Sequence, residues 1–201
     1  MATPLDFYFD FSSPYGYFAA SRIEALAAKH GRRVAWHPVL LGAIFKTTGG
    51  MPLPTVPLKG EYSYRDFERS ARFHEIPYKR PAGFPIATQL PARAMTWIAR
   101  DFGAYKAVPF AKAAYASYFV DGIDISRPEG IAPACAKIGI RHDAVLEGAN
   151  SQEIKDMLKA EVEAAVERGV FGSPFVIADG EPFWGFDRFD QLEAFLKNGN
   201  I

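Results

Sequence analysis

Cysteine is nearly absent: the 201 residues contain one, Cys135. A single thiol excludes an intrachain disulfide and any cysteine-rich metal site. It lies in the apolar stretch Ile131 to Ile138, where it reads as a small buried hydrophobe. An excess of one charge is lacking too. Lys and Arg total 23, as do Asp and Glu, so no global field draws the chain to nucleic acid or an anionic membrane. No apolar run approaches the roughly 20 residues of a membrane helix. Met1 to Phe11 carries acids and no basic region ahead of an apolar run, unlike a secretory signal. The expectation is a cytoplasmic protein, in a reducing compartment where small thiols are abundant. His30, His37, His74 and His142 lack metal-ligand spacing, so no metal is expected.

What is present is an ample aromatic supply, 17 Phe, 9 Tyr and 3 Trp, suited to a sizeable core and an apolar pocket. Leu5, Phe7, Phe9 and Phe11 alternate with Asp6, Tyr8 and Asp10, a period-2 pattern that predicts a strand. Ser13-Pro14 follows, a hydroxyl N-cap with proline at the first helical position. Phe18, Ala19, Ile23, Leu26 and Ala27 continue at helical spacing to a stop at Gly31. Val34 to Leu41 predicts a second strand, completing a βαβ unit.

From residue 43 the chain is rich in Gly, Pro and Lys and is read as beginning with a loop. Helical patterns dominate from about 60 to 148, as in Ala92 to Phe102 and Phe110 to Tyr118. Asn150 and Glu153 make a capping-box signal ahead of a helix that ends at Gly169. Phe175 to Ala178, the tight turn Asp179-Gly180 and Glu181 to Trp184 predict a hairpin, and a last helix begins near Asp187. The expected fold class is α/β: a thioredoxin-like fold interrupted by a helical insertion. Residues 1–42 and 150–201 form the discontinuous thioredoxin-like domain, and 43–149 the insertion.

In redox proteins of that fold a Cys-x-x-Cys stands where the first strand turns into the first helix. Here the four residues are Ser13-Pro14-Tyr15-Gly16. Without a thiol the site cannot exchange disulfides. A helix start with a hydroxyl can still stabilise a thiolate brought in by another molecule, and Ser13 can equally be a plain N-cap. Ser173-Pro174, just before a strand, predicts a cis peptide bond whose neighbouring backbone groups can pair with an extended peptide. Asp187 can hold the ammonium of a small peptide, or cap the last helix, or both. Arg65, Asp66, Glu68, Arg69 and Arg72 read as a solvated helix face.

Asp6 to Tyr15, Leu40-Leu41-Gly42 to Lys46, Val170 to Pro174 and Trp184 to Arg188 together resemble the 2-hydroxychromene-2-carboxylate isomerase family, relatives of kappa-class glutathione transferases. The resemblance spans essentially the whole chain. It implies a glutathione-dependent, dimeric enzyme acting on a small aromatic substrate. Carried over by position, Ser13 contacts the glutathione sulfur, and Ser173, before Pro174, pairs with the cysteinyl backbone. Phe186 and Asp187 hold the γ-glutamyl end, and Lys59 reaches the glycyl carboxylate. The chain departs from the family pattern at Gly50, where asparagine is common, and at Ile86-Ala87-Thr88-Gln89, where Asn-Ser is frequent. The implied chemistry is thiolate addition to a conjugated alkene, bond rotation and elimination. Tyr15, Tyr17, Phe45 and Trp97 are candidates for an apolar wall. Two alternatives stand beside this reading: a kappa-like transferase that conjugates electrophiles, and a redox-inactive thioredoxin-like module that binds peptides.

Overall fold

The computed structural model describes residues 3–201; Met1 and Ala2, part of the segment read above as no leader, lie outside the described residues. Four strands form one mixed sheet in the order β2-β1-β3-β4. β1 (Leu5–Phe9) runs parallel to β2 (Val34–Pro38), with Phe7 opposite Trp36. On its other side β1 pairs antiparallel with β3 (Phe175–Ala178), Phe7 opposite Val176. β4 (Glu181–Trp184) closes that edge. Asp179 and Gly180 have φ of 51° and 92°, the two left-handed positions that a tight hairpin turn demands.

β1 is central and covered on both faces. Phe7, Phe9 and Phe11 are fully buried, and Phe7 and Phe9 stack with ring centroids 5.2 Å apart. Each contributes about 1.5–3 kcal/mol by leaving water. The alternation therefore does not separate core from solvent, since Tyr8 in this strand and Asp10 just after it are also buried.

The first helical run is two helices, α1 (Pro14–Ala20) and α2 (Ile23–Lys29). The break falls at Ser21, whose hydroxyl donates to the Phe18 carbonyl at 2.7 Å and competes with the helix ladder. β2 ends at Pro38, earlier than expected, and the expected loop after residue 43 is instead α3 (Leu41–Thr48). Its first N–H, on Leu41, donates to Asp10 Oδ2 at 2.7 Å. That cap comes from 31 residues upstream, so local sequence could not reveal it.

Next come α4 (Lys59–Phe73), α5 (Gln89–Phe102), α6 (Ala104–Phe119), α7 (Ala132–Ile138) and α8 (His142–Asn150). α6 packs between α5 and α7 and also touches α1, while α5 packs on α8. α9 (Gln152–Glu167) packs against β2. Its cap is Ser151, whose hydroxyl accepts from the Ile154 N–H at 3.4 Å. Asn150, the expected cap, is the last residue of α8. A 3-10 turn at Phe186–Arg188 leads into α10 (Phe189–Asn198). Among the described residues no helix is long and apolar enough to cross a membrane.

Candidate active site

The residues with chemical potential converge where β1 hands over to α1. Ser13 is the N-cap: its Oγ accepts from the Gly16 N–H at 3.0 Å. The same hydroxyl donates to the Ser173 carbonyl at 2.9 Å, tying the helix start to the loop before β3. The cap uses a lone pair and leaves the one hydroxyl proton to the Ser173 carbonyl, so a thiolate contact requires that O–H to turn off the carbonyl while the cap is kept. Pro14 has no N–H, and among the described residues the Tyr15 N–H has no acceptor. One backbone donor is therefore free in the first turn beside Ser13.

Gly16 is fixed by close approach. A Cβ there would lie 2.8 Å from Ser173 Oγ, 2.9 Å from the Tyr115 hydroxyl and 3.0 Å from Ser13 Cβ. Helix α1, the Ser173 loop and α6 meet at this point, and only glycine permits it.

The Ser173–Pro174 bond is cis, as expected; the Phe84–Pro85 bond is cis too, which the sequence did not signal. Ser173 accepts from Ser13 through its carbonyl and from the Asp10 N–H through its Oγ, at 2.9 Å in both cases. Its own N–H has no acceptor among the described residues. Such a backbone edge can receive an extended peptide.

Phe186 is a core side chain, packed on Phe18, His74 and Phe189, so only its main chain is left for a ligand. Asp187 does not cap α10, whose first turn has no side-chain cap. Its carboxylate is 74% exposed and pairs with Arg188 at 3.0 Å. The 3-10 turn that carries Asp187 packs against α1, and burial and the bond to Asp66 raise the pKa of Tyr15 there. Lys59 is the first residue of α4 and follows Leu58, which has φ 66° and is 93% exposed. The tight turn there brings the Lys59 N–H to the Pro57 carbonyl at 2.8 Å.

Asp66 corrects the reading of α4 as a wholly solvated face. The Tyr15 hydroxyl donates to it, Arg69 pairs with it one turn on, and its side chain is only 21% exposed. Burial opposes its charge, but the hydrogen bonds from Tyr15 and Arg69 outweigh this and hold its pKa below the usual value. Lys59 lies seven residues before Asp66, on the same helix face. The bond from Tyr15 thus turns the Lys59 face of α4 toward α1.

Asp10 is the residue that sequence reading missed. It is 2% exposed and accepts from the Ser12 N–H and hydroxyl, the Leu41 N–H and the Thr88 hydroxyl. Its one signal is an acid between Phe9 and Phe11, which the alternation assigned to the open face.

Of the expected apolar wall, Tyr15 borders the site and Phe45 lies against Gly50, where a Cβ would meet its ring at 2.6 Å. Tyr17 is core, its hydroxyl on the Pro77 carbonyl at 2.7 Å, and Trp97 packs on Phe102 and over Gly148. A groove of about 970 Å³ opens elsewhere, between α2 and α6, and contains none of the six candidate residues. It offers space without the chemistry. No metal-binding cluster is found among the described residues.

Residues 4–197 match the model of the DsbA-like thioredoxin domain. The chain is 32% identical over 199 residues to the 2-hydroxychromene-2-carboxylate isomerase of Sphingobium xenophagum, covering 98% of this chain and 99% of that one. The glutathione S-transferase kappa 2 of Caenorhabditis elegans is 24% identical over 204 residues, covering 94% and 90%. A solved structure of a 2-hydroxychromene-2-carboxylate isomerase superposes with a TM-score of 0.87 at 25% identity, covering 97% of this chain and 95% of that one. With a serine in place of the redox cysteine and likeness along its whole length, the chain belongs to the 2-hydroxychromene-2-carboxylate isomerase family of DsbA-like thioredoxin-fold proteins.

Proposed function

We propose that this chain is a glutathione-dependent isomerase. It interconverts an aromatic 2-oxo acid hemiketal of the 2-hydroxychromene-2-carboxylate type and its trans-alkene form. The observation that carries the reading is the Ser13 hydroxyl, held at 2.9 Å from the Ser173 carbonyl beside the free Tyr15 N–H. With the hydroxyl turned from that carbonyl to a bound sulfur, the two donors form a pair beside a peptide-pairing edge, with no thiol of the chain's own.

These residues fit glutathione by chemistry. Ser13 and the Tyr15 N–H would hold the sulfur, and the unpaired Ser173 N–H and its carbonyl, before Pro174, would pair with the cysteinyl backbone. The main chain at Phe186 and the exposed Asp187 carboxylate would take the γ-glutamyl end, Asp187 matching its ammonium. Lys59 would match the glycyl carboxylate. When bound, glutathione supplies a thiolate that adds to the conjugated alkene and leaves again after rotation about the bond. Ser13 and the Tyr15 N–H favour that thiolate, since a free thiol with a pKa near 8.5 is mostly protonated at pH 7. The proposal extends to a cytoplasmic homodimer whose thioredoxin-like part comprises 1–42 and 150–201, with 43–149 as the helical domain.

The test is conversion of 2-hydroxychromene-2-carboxylate with and without glutathione, while free thiol is counted. An isomerase converts substrate and consumes no thiol. Stoichiometric thiol loss favours the kappa-like transferase, and absence of any rise in melting temperature with glutathione sinks both enzymatic readings in favour of the peptide-binding module.

A further inference from the structure

Asp10 engages every polar group it has. Its N–H donates to Ser173 Oγ at 2.9 Å. Its carbonyl accepts from the Ser13 N–H and from the Tyr115 hydroxyl, both at 2.9 Å. Oδ1 accepts from the Ser12 N–H at 2.8 Å and the Ser12 hydroxyl at 2.9 Å. Oδ2 accepts from the Leu41 N–H at 2.7 Å and the Thr88 hydroxyl at 3.2 Å. One residue thereby joins the β1–α1 turn, the start of α3, the start of α5, α6 and the Ser173 loop. Ser13 and Ser173, the two sides of the proposed thiol cradle, both hang from it.

The donor pattern fits a carboxylate. Each carboxylate oxygen faces one backbone N–H, a group that can only donate, and one hydroxyl that is free to donate. A carboxylate satisfies all four. Burial opposes this charge and leaves the pKa above the usual carboxylate value, although the bonds from Ser12, Leu41 and Thr88 work against that rise. An amide of the same shape cannot substitute. Whichever way an asparagine is turned, its NH2 would point at the Ser12 N–H or the Leu41 N–H, and two donors would face each other in a buried site.

We infer that Asp10, as a carboxylate, is a positioning residue that sets the Ser13 hydroxyl against the Ser173 loop and so shapes the thiol cradle. The inference rests on the reading of Ser13 and Ser173 as that cradle. Thr88 belongs to it as the hydroxyl donor to the second carboxylate oxygen.

The experiment compares the full chain with D10N and T88V on two readouts. Amide hydrogen exchange needs no glutathione and reads the positioning directly. Calorimetric titration with glutathione reads its consequence. In D10N, exchange at Ser12, Ser13 and Leu41 should rise about tenfold or more while β3 amides stay protected, and glutathione should bind about tenfold more weakly. T88V, which keeps both backbone donors, should weaken binding about threefold. Unchanged exchange at Ser13, loss of protection spread evenly over the sheet, or unchanged glutathione affinity in D10N would each overturn the inference. If the unaltered chain does not bind glutathione while D10N shows the local rise in exchange, the functional reading fails and the positioning stands. Should D10N not fold, T88V and S12A, each lacking one hydroxyl donor, carry the same exchange measurement. A local rise at Ser12, Ser13 or Leu41 then supports the positioning, and an unchanged pattern overturns it.

Discussion

The Ser13 hydroxyl and the Ser173 carbonyl, 160 residues apart in the chain, meet at 2.9 Å. The same hydroxyl accepts the Gly16 N–H, so capping, loop attachment and the proposed thiol contact converge on one oxygen. Ser13→Ala removes all three. A lost N-cap costs about 1 kcal/mol of stability, whereas a lost donor to a developing anion costs about 100-fold in turnover. Activity should therefore fall far more than stability, as read by turnover and urea unfolding of the same preparation. Equal losses would return Ser13 to a plain cap.

Gly16→Ala tests the convergence itself. The added methyl would press on Ser173 Oγ, the Tyr115 hydroxyl and Ser13 Cβ within 3.0 Å, and overpacking of this kind costs about 1–3 kcal/mol. Chemical denaturation should show that loss, with glutathione binding falling in parallel. A variant as stable as the parent would mean that the three elements can separate freely.

Asp187→Asn separates recognition from folding. The carboxylate is largely exposed and, among the described residues, pairs only with its neighbour Arg188, so stability should change by less than about 0.5 kcal/mol. Glutathione binding should weaken about fivefold, the scale of a partly screened ion pair. Calorimetry showing unchanged affinity would remove Asp187 from the γ-glutamyl end.

His37 makes stability depend on pH. Its Nδ1 lies 2.6 Å from Glu161 and its Nε2 3.1 Å from Asp6, linking α9 to β1 and β2. Burial works against protonation, but the two carboxylates outweigh it and raise the pKa above the usual 6.5. A raised folded-state pKa means that the proton stabilises the folded chain. That contribution is complete below about pH 6.5 and fades as pH rises through the folded value. The melting temperature should therefore decline from pH 6 to pH 8.5, and His37→Gln should flatten the decline. An identical slope in the variant would refute the link.

Cys135 should stay silent. It is fully buried, and burial pushes its thiol up to about 11. A disulfide reagent should leave the folded chain unmodified and titrate one thiol after denaturation. Any thiol lost in the isomerisation assay then comes from glutathione.

Most of the site's location was legible because its cues are local. Ser13-Pro14 announces a helix start within two residues, Asp179-Gly180 a hairpin, and Ser173-Pro174 the loop that meets the helix start. The roles of Asp10 and Asp66 were not legible, and for one reason. Each is an acid whose meaning depends on a partner from another element: Thr88 lies 78 residues from Asp10, and Tyr15 lies 51 residues from Asp66. Strand alternation and helix charge patterns assign such residues to water by default.

From sequence alone came the lack of a Cys-x-x-Cys pair, the order of the four strands, and the serine at the first helix start. These follow from residue type and from spacings of a few positions, which backbone geometry converts directly into structure. The tertiary structure decided that Asp10 is buried, that α3 begins where Asp10 can cap it, that Phe186 belongs to the core and that Asp187 stays at the surface. Those outcomes depend on which faces pack together, and burial turns the same carboxyl group from a solvated charge into a fixed acceptor.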